Sequence, residues 1–223
     1  MSEQSNGGTT VSRLLPTTRL EAFSDGVMAI AITLLVLELH VPTDPQGLLH
    51  ELAAGWAGYL GYFVSFAFIG GVWIAHSHVT RFIKATDAPM LGLNLVLLLF
   101  VSFLPFTTSL LATHLDDAGR HIAVVIFGIN LTLASLMVNV LVGYSARREG
   151  LAADDAAEDE LEAFEKERRV ALLLQAVATA LGLLLPVVAV VIYLVVSVLI
   201  IADPLWRAQR RRRQAARARS RRD

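Results

Sequence analysis

The sequence predicts an all-α, polytopic membrane protein with six transmembrane helices and both termini in the cytoplasm. Three observations carry that expectation. Hydrophobic residues make up 55% of the 223 and the mean hydropathy is +0.57, more apolar than an ordinary soluble domain. Five stretches carry little or no charge: 20–39, 55–75, 88–112, 122–144 and 170–202. With the N-terminus inside and six spans assigned, eighteen of the nineteen Lys and Arg residues fall on the cytoplasmic side and only Arg120 falls outside, as the positive-inside rule requires.

The spans are expected at about 19–40, 55–78, 88–113, 121–145, 168–184 and 187–204. The first four stretches each match the roughly 20 residues that cross a bilayer. The fifth has 33 residues, about 50 Å as one helix against a hydrocarbon core of about 30 Å. Gly182 and Pro186 interrupt it, so two short spans with a turn at Leu185–Pro186 fit better than one kinked helix. One span in place of two would also move the nine arginines of the tail outside. Residues 1–17 are polar, lack the apolar core of a signal peptide and read as a flexible tail. Residues 18–206 form the membrane domain, and 207–223 a basic cytoplasmic tail suited to anionic lipid rather than to nucleic acid.

The first span is unusual. Arg19, Glu21, Ser24 and Asp25 occupy its first two turns, and an ionisable residue at membrane depth marks a functional site with a partner to be found. Span 2 is rich in Gly, Ala and Ser, which allow close helix approach in lipid, and ends in Trp73, His76 and His78. Span 3 carries Asn94 and Pro105; span 4 carries Asn130 and Asn139. The acidic connector 152–169 is helix-prone, with Leu161 and Phe164 forming a short apolar stripe on an otherwise solvated face.

Several chemistries are excluded. With no cysteine there is no disulfide, thiolate metal site or thiol nucleophile. No phosphate loop, GxSxG or HExxH string occurs, so an enzyme is not indicated and no cofactor is implied. His76 and His78 are two apart, on different faces of a helix, and do not make a metal pair. A TVGYG-type filter is absent.

The string Arg19-x-x-x-Phe23-Ser24-Asp25, followed by GVMAIAITLLVLEL, resembles the signature of the transmembrane protein 175 family. Trp73-x-x-His76 in span 2 and Asn94 with FLPFTTSLL in span 3 match the same family's pattern. The resemblance covers all six spans. It implies a potassium-permeable cation channel of the bacterial plasma (inner) membrane, assembled as a homotetramer without a re-entrant pore loop. Span 1 would then line the pore through bulky apolar side chains beside a hydroxyl layer. Arg19, Phe23, Ser24, Asp25, Trp73, His76 and Asn94 would form a structural polar network. A helical wheel at about 100° per residue puts Ile30, Thr33, Leu34 and Leu37 on one face and Asp25, Ala29, Ile32 and Val36 roughly opposite. Ile30, Leu34 and Leu37 are therefore the expected constriction and Thr33 the expected selectivity layer. Two other classes stay open: a cation- or proton-coupled transporter using Asp25 as carrier, and a non-conducting structural membrane protein.

Overall fold

In a computed structural model, residues 14–43 and 47–219 are described, with side chains as far as Ala202. The chain folds as a bundle of eight α-helices: α1 (Thr18–Leu34, prolonged by a 3-10 turn, Leu35–Glu38), α2 (Leu48–Ala54), α3 (Trp56–Phe82), α4 (Ala88–Ser102), α5 (Leu104–His114), α6 (Arg120–Arg147), α7 (Asp155–Leu181) and α8 (Pro186–Arg219). No strand forms among the described residues. Among the described residues, four segments are long and apolar enough to cross a membrane: Thr18–Glu38, Trp56–Phe82, Ala88–His114 and Arg120–Arg147. They coincide with the first four expected spans. Pro186–Ala202 is a shorter apolar helix.

The expected break in the fifth stretch is present. α7 ends at Leu181, a turn runs through Gly182 to Leu185, and Pro186 opens α8, where a missing N–H costs nothing. Gly182 packs closely there: a Cβ would lie 3.0 Å from the Val124 side chain. α8 continues to Arg219, so the basic tail extends a helix; its side chains lie outside the described residues.

Pro105 divides the third segment into α4 and α5. Its ring cannot donate into the preceding turn, and Asn130 bridges the break from α6 through Nδ2, which donates to the Phe100 carbonyl (3.2 Å) and to Thr107 Oγ1 (3.3 Å). The core is built where α3, α6 and α8 meet, with Phe68, Phe127, Leu131 and Tyr193 all 2% exposed or less. α6 and α7 share a polar seam: Thr132 with Thr179, Ser135 with Gln175, and Tyr193 of α8 donating to Thr179. Such cross-helix bonds hold helices together where lipid supplies no hydrophobic drive.

One feature was not foreseen. Leu15 forms an antiparallel bridge with Thr86, and Ile83 with Ala152. Leu15 N donates to Thr86 O at 2.7 Å and Thr86 N to Leu15 O at 2.8 Å. On the other edge Lys84 N donates to Leu151 O (2.8 Å) and Ala153 N to Phe82 O (2.9 Å). The α3–α4 loop is thus clasped between the segment leading into α1 and the α6–α7 loop. The expected tail 1–17 needs correction at this point: residues 1–13 lie outside the described residues, but Leu15 is already anchored, because the extended backbone before Pro16 presents a free edge that the loop pairs.

Candidate functional site

α1 packs on α3 and α4 along one narrow line: Leu20, Ser24, Met28, Ala31 and Leu35 are its buried positions. Their spacing of three and four residues is that of one helix stripe. Glu21, Val27 and Ile32 flank that line half-buried, and the remaining positions of the helix are uncovered within the protomer. Ile30 is 61% exposed, Leu34 42% and Leu37 73%, and Thr33 is exposed with them. A helix this apolar with this little cover has an unpartnered face. The wheel grouping of Ile30, Thr33, Leu34 and Leu37 holds. The opposite grouping is less uniform, since Ala29 and Val36 are exposed as well.

Thr33 has a specific geometry. Its hydroxyl donates back to the Ala29 carbonyl (3.0 Å) and the Ile30 carbonyl (2.9 Å). With the proton turned to the helix, the oxygen lone pairs face outward.

The polar network joins three helices, though not with every expected member. Asn94 of α4 is its centre. Asn94 Nδ2 donates to Ser24 Oγ of α1 at 2.9 Å, and Asn94 Oδ1 accepts from His76 Nε2 of α3 at 3.1 Å. Ser24, His76 and Asn94 are 0%, 2% and 3% exposed. A buried amide is satisfied this way only if both neighbours are in register. Asp25 stands beside this core, at the edge of the uncovered face. It is exposed in the protomer and accepts from Trp73 Nε1 at 3.0 Å. The expectation that Asp25 is buried toward Trp73, His76 and Asn94 is therefore met for Trp73 alone; it is the neighbouring Ser24 that points inward, one position away on the helix. Arg19 is exposed and Phe23 is 55% exposed, and neither takes part in these bonds. Next to the network, Glu21, Asp25, His76, Ser77, Thr80 and Arg81 line an open polar recess of about 320 Å³.

His78 points away from His76 and stacks on Phe164 of α7, ring centroids 4.3 Å apart. No group of three or more His, Asp or Glu able to hold a metal occurs among the described residues. Leu161 is fully buried, as the stripe on the connector required.

Two polar hubs at the end of α6 and the start of α4 were missed. Asp87 caps α4 by accepting from Met90 N (3.0 Å), accepts from Tyr144 OH (2.6 Å) and lies 3.4 Å from Arg148 Nε. Glu165 is 6% exposed, not solvated, and lies 2.6 Å from both Arg147 and Arg169. Burial raises its pKa, but the two guanidiniums outweigh that and hold the carboxyl below its ordinary value. Asp-x-Pro at a helix start could have pointed to the first hub; nothing in the sequence distinguishes Glu165 from its seven acidic neighbours.

A family model described as "Endosomal/lysosomal potassium channel TMEM175" matches residues 19–105. A potassium channel of Chamaesiphon minutus is 39% identical over 171 residues, 74% of this chain and 84% of that protein. One of Streptomyces collinus is 40% identical over 126 residues, 55% of this chain and 61% of the relative. The crystal structure of a lysosomal potassium-selective channel TMEM175 homolog from Chamaesiphon minutus superposes with a TM-score of 0.76 at 32% identity, covering 84% of this chain and 97% of that one.

Proposed function

The chain belongs to the TMEM175 family, a family of ion channels and not of enzymes, and from that premise we propose that it is a potassium-permeable channel whose pore is lined by α1. The bacterial relatives it matches are named potassium channels, the vertebrate ones, over a shorter match, proton channels, and its apolar helices suit a multi-pass membrane protein. The observation that carries the reading is the uncovered face of α1. Ile30, Leu34 and Leu37 are 61%, 42% and 73% exposed in a single protomer, so copies of the chain can close them around a common axis. We read the assembly as a homotetramer of six-span subunits in the plasma membrane, both termini cytoplasmic, with anionic lipid at the basic tail.

In this arrangement rings of Ile30, Leu34 and Leu37 form a hydrophobic constriction, which closes by contact and dewetting. They offer no ligand to a cation. Thr33 does, and its outward lone pairs are suited to replace part of a hydration shell. Asp25 serves as a tether rather than a carrier: it is held by an indole at the protomer surface, and a channel family gives no support to coupled transport.

The test is single-channel recording from purified protein in planar bilayers under bi-ionic potassium and sodium. Thr33→Ala is expected to lower the preference for potassium while conduction persists, and Ile30→Asn to raise conductance by wetting the constriction. Unchanged currents and reversal potentials in Ile30→Asn, Leu34→Asn and Leu37→Asn would remove α1 from the pore.

A further inference from the structure

A second cavity opens beside the cytoplasmic end of α6, and it shares no lining residue with α1. It is an open groove of about 480 Å³ against α7, floored by Asn139, Val140 and Gly143 and rimmed by Tyr144, Arg147 and Arg148, with Glu165 behind.

Its charges are sorted by depth. Glu165 sits between Arg147 and Arg169, and Asp87 faces Arg148. Three guanidiniums thus meet two carboxylates, a surplus of one positive charge. The carboxylate side chains are 9% and 1% exposed, whereas those of Arg147 and Arg148 are 55% and 49% exposed. The anions face inward and the cations face out.

The groove also stands at a defined height. α6 has 28 residues, about 42 Å at about 1.5 Å per residue. That exceeds a hydrocarbon core of about 30 Å by roughly one turn at each end, so Arg147 lies at headgroup level. Toward the bilayer centre the outward positions turn apolar: Val140, Leu136 and Ile129 on α6 are 37%, 37% and 47% exposed, and Val170, Leu174 and Val177 on α7 are 58%, 46% and 63% exposed. A single negative charge at the rim with hydrocarbon beneath it is the chemistry of an anionic phospholipid.

We propose that this groove holds an anionic phospholipid of the cytoplasmic leaflet, its phosphate between Arg147 and Arg148 and its acyl chains along α6 and α7. Basic pockets between helices on the cytoplasmic side are suited to such headgroups, and a paired guanidinium matches a phosphate in geometry as well as charge. The site is separate from the tail and does not depend on conduction.

The experiment is native mass spectrometry of the full-length protein in detergent, titrated with phosphatidylglycerol, with phosphatidylcholine as the neutral control and inorganic phosphate as the free anion. Three variants accompany wild type: Arg148→Gln, which leaves Asp87 its Tyr144 partner; Val140→Trp, which fills the groove without touching a charge; and a chain with the nine tail arginines changed to Gln. Retained phosphatidylglycerol is expected to fall about tenfold in Arg148→Gln, the scale of one charge-assisted contact, to fall also in Val140→Trp, where the groove is filled, and to persist in the tail variant. Should Arg148→Gln fail to fold, Val140→Trp alone reads the site, since residue 140 is partly exposed. Equal retention of the two lipids, loss in the tail variant alone, or displacement of lipid by equimolar inorganic phosphate would each overturn the proposal.

Discussion

Asn94→Leu tests the junction that fixes α1 to the bundle. The substitution keeps approximately the same volume and removes both bonds at once, to Ser24 and to His76. Both partners are 2% exposed or less, so neither recovers a hydrogen bond from water. Leaving a buried polar group unsatisfied costs about 1–3 kcal/mol. Between helices in lipid the measured values are lower, about 0.6 and at most about 1.7 kcal/mol per bond, because a hydroxyl such as Ser24 can turn back onto its own helix carbonyl. Two bonds then give about 1–3 kcal/mol in all. For a chain of this length each kcal/mol moves the midpoint by about 2–4 °C, so Asn94→Leu is expected to melt about 2–12 °C below wild type. The assay is a thermal series read by gel filtration in one detergent. A cycle with Ser24→Ala adds the pairwise part, expected at about 0.5–1.5 kcal/mol for groups in direct contact. A variant that melts with wild type, or a cycle that is strictly additive, would refute the view that this amide holds α1.

Asp25→Ala is expected to cost the protomer less than about 1 kcal/mol, since Asp25 is exposed there and bonded to Trp73; its effect should appear as a lower tetramer yield on cross-linking, and a large loss of protomer stability would contradict this. Gly128→Ala drives a Cβ into the Tyr193 hydroxyl and to 2.6 Å from Thr179 Oγ1, so it should destabilise the α6–α7–α8 junction by about 1–3 kcal/mol, read as a fall in melting temperature. Glu165 has a folded-state pKa below the ordinary 4.5, so its contribution is complete above the unfolded pKa and is lost as pH falls through the folded one; wild type should lose stability below about pH 4.5 more steeply than Glu165→Gln. A reporter fused after Asp223 should read cytoplasmic, and a signal from the opposite side would break the six-span topology.

The apolar bundle was legible because periodicity and length govern helices in lipid. Four apolar segments and the break before Pro186 follow from pattern alone, whereas the exposed Ile30, Leu34 and Leu37 were singled out only with the family resemblance. The polar network was legible only in part: Ser24, His76 and Asn94 are joined, Asp25 meets Trp73 alone, and Arg19 and Phe23 take no part. Ser24 and Asp25 are adjacent in sequence and 100° apart on the helix, and only the rotation of α1 against α4 decides which turns inward. The clasp at Leu15, Thr86 and Ala152 left no pattern, because single backbone bridges use groups that every residue has. Glu165 was hidden for a related reason: in a run of like charges, burial depends on which turn of α7 meets α6.

Leu15 gives α1 a fulcrum. The helix is pinned at its start by two backbone bonds to the α3–α4 loop, while its other end runs into a 3-10 turn in which Leu35 alone is buried. Between Thr18 and Leu37 lie nineteen residues, a lever of about 28 Å at about 1.5 Å per residue. A tilt of about 5° about that fulcrum leaves Asn94 and Ser24 almost in place yet carries Leu37 sideways by about 2.5 Å, more than the radius of a water molecule. In the proposed tetramer, four such levers turning together would change the bore at their tips by several ångströms, and the loops at 83–86 and 151–153 hold the pivot.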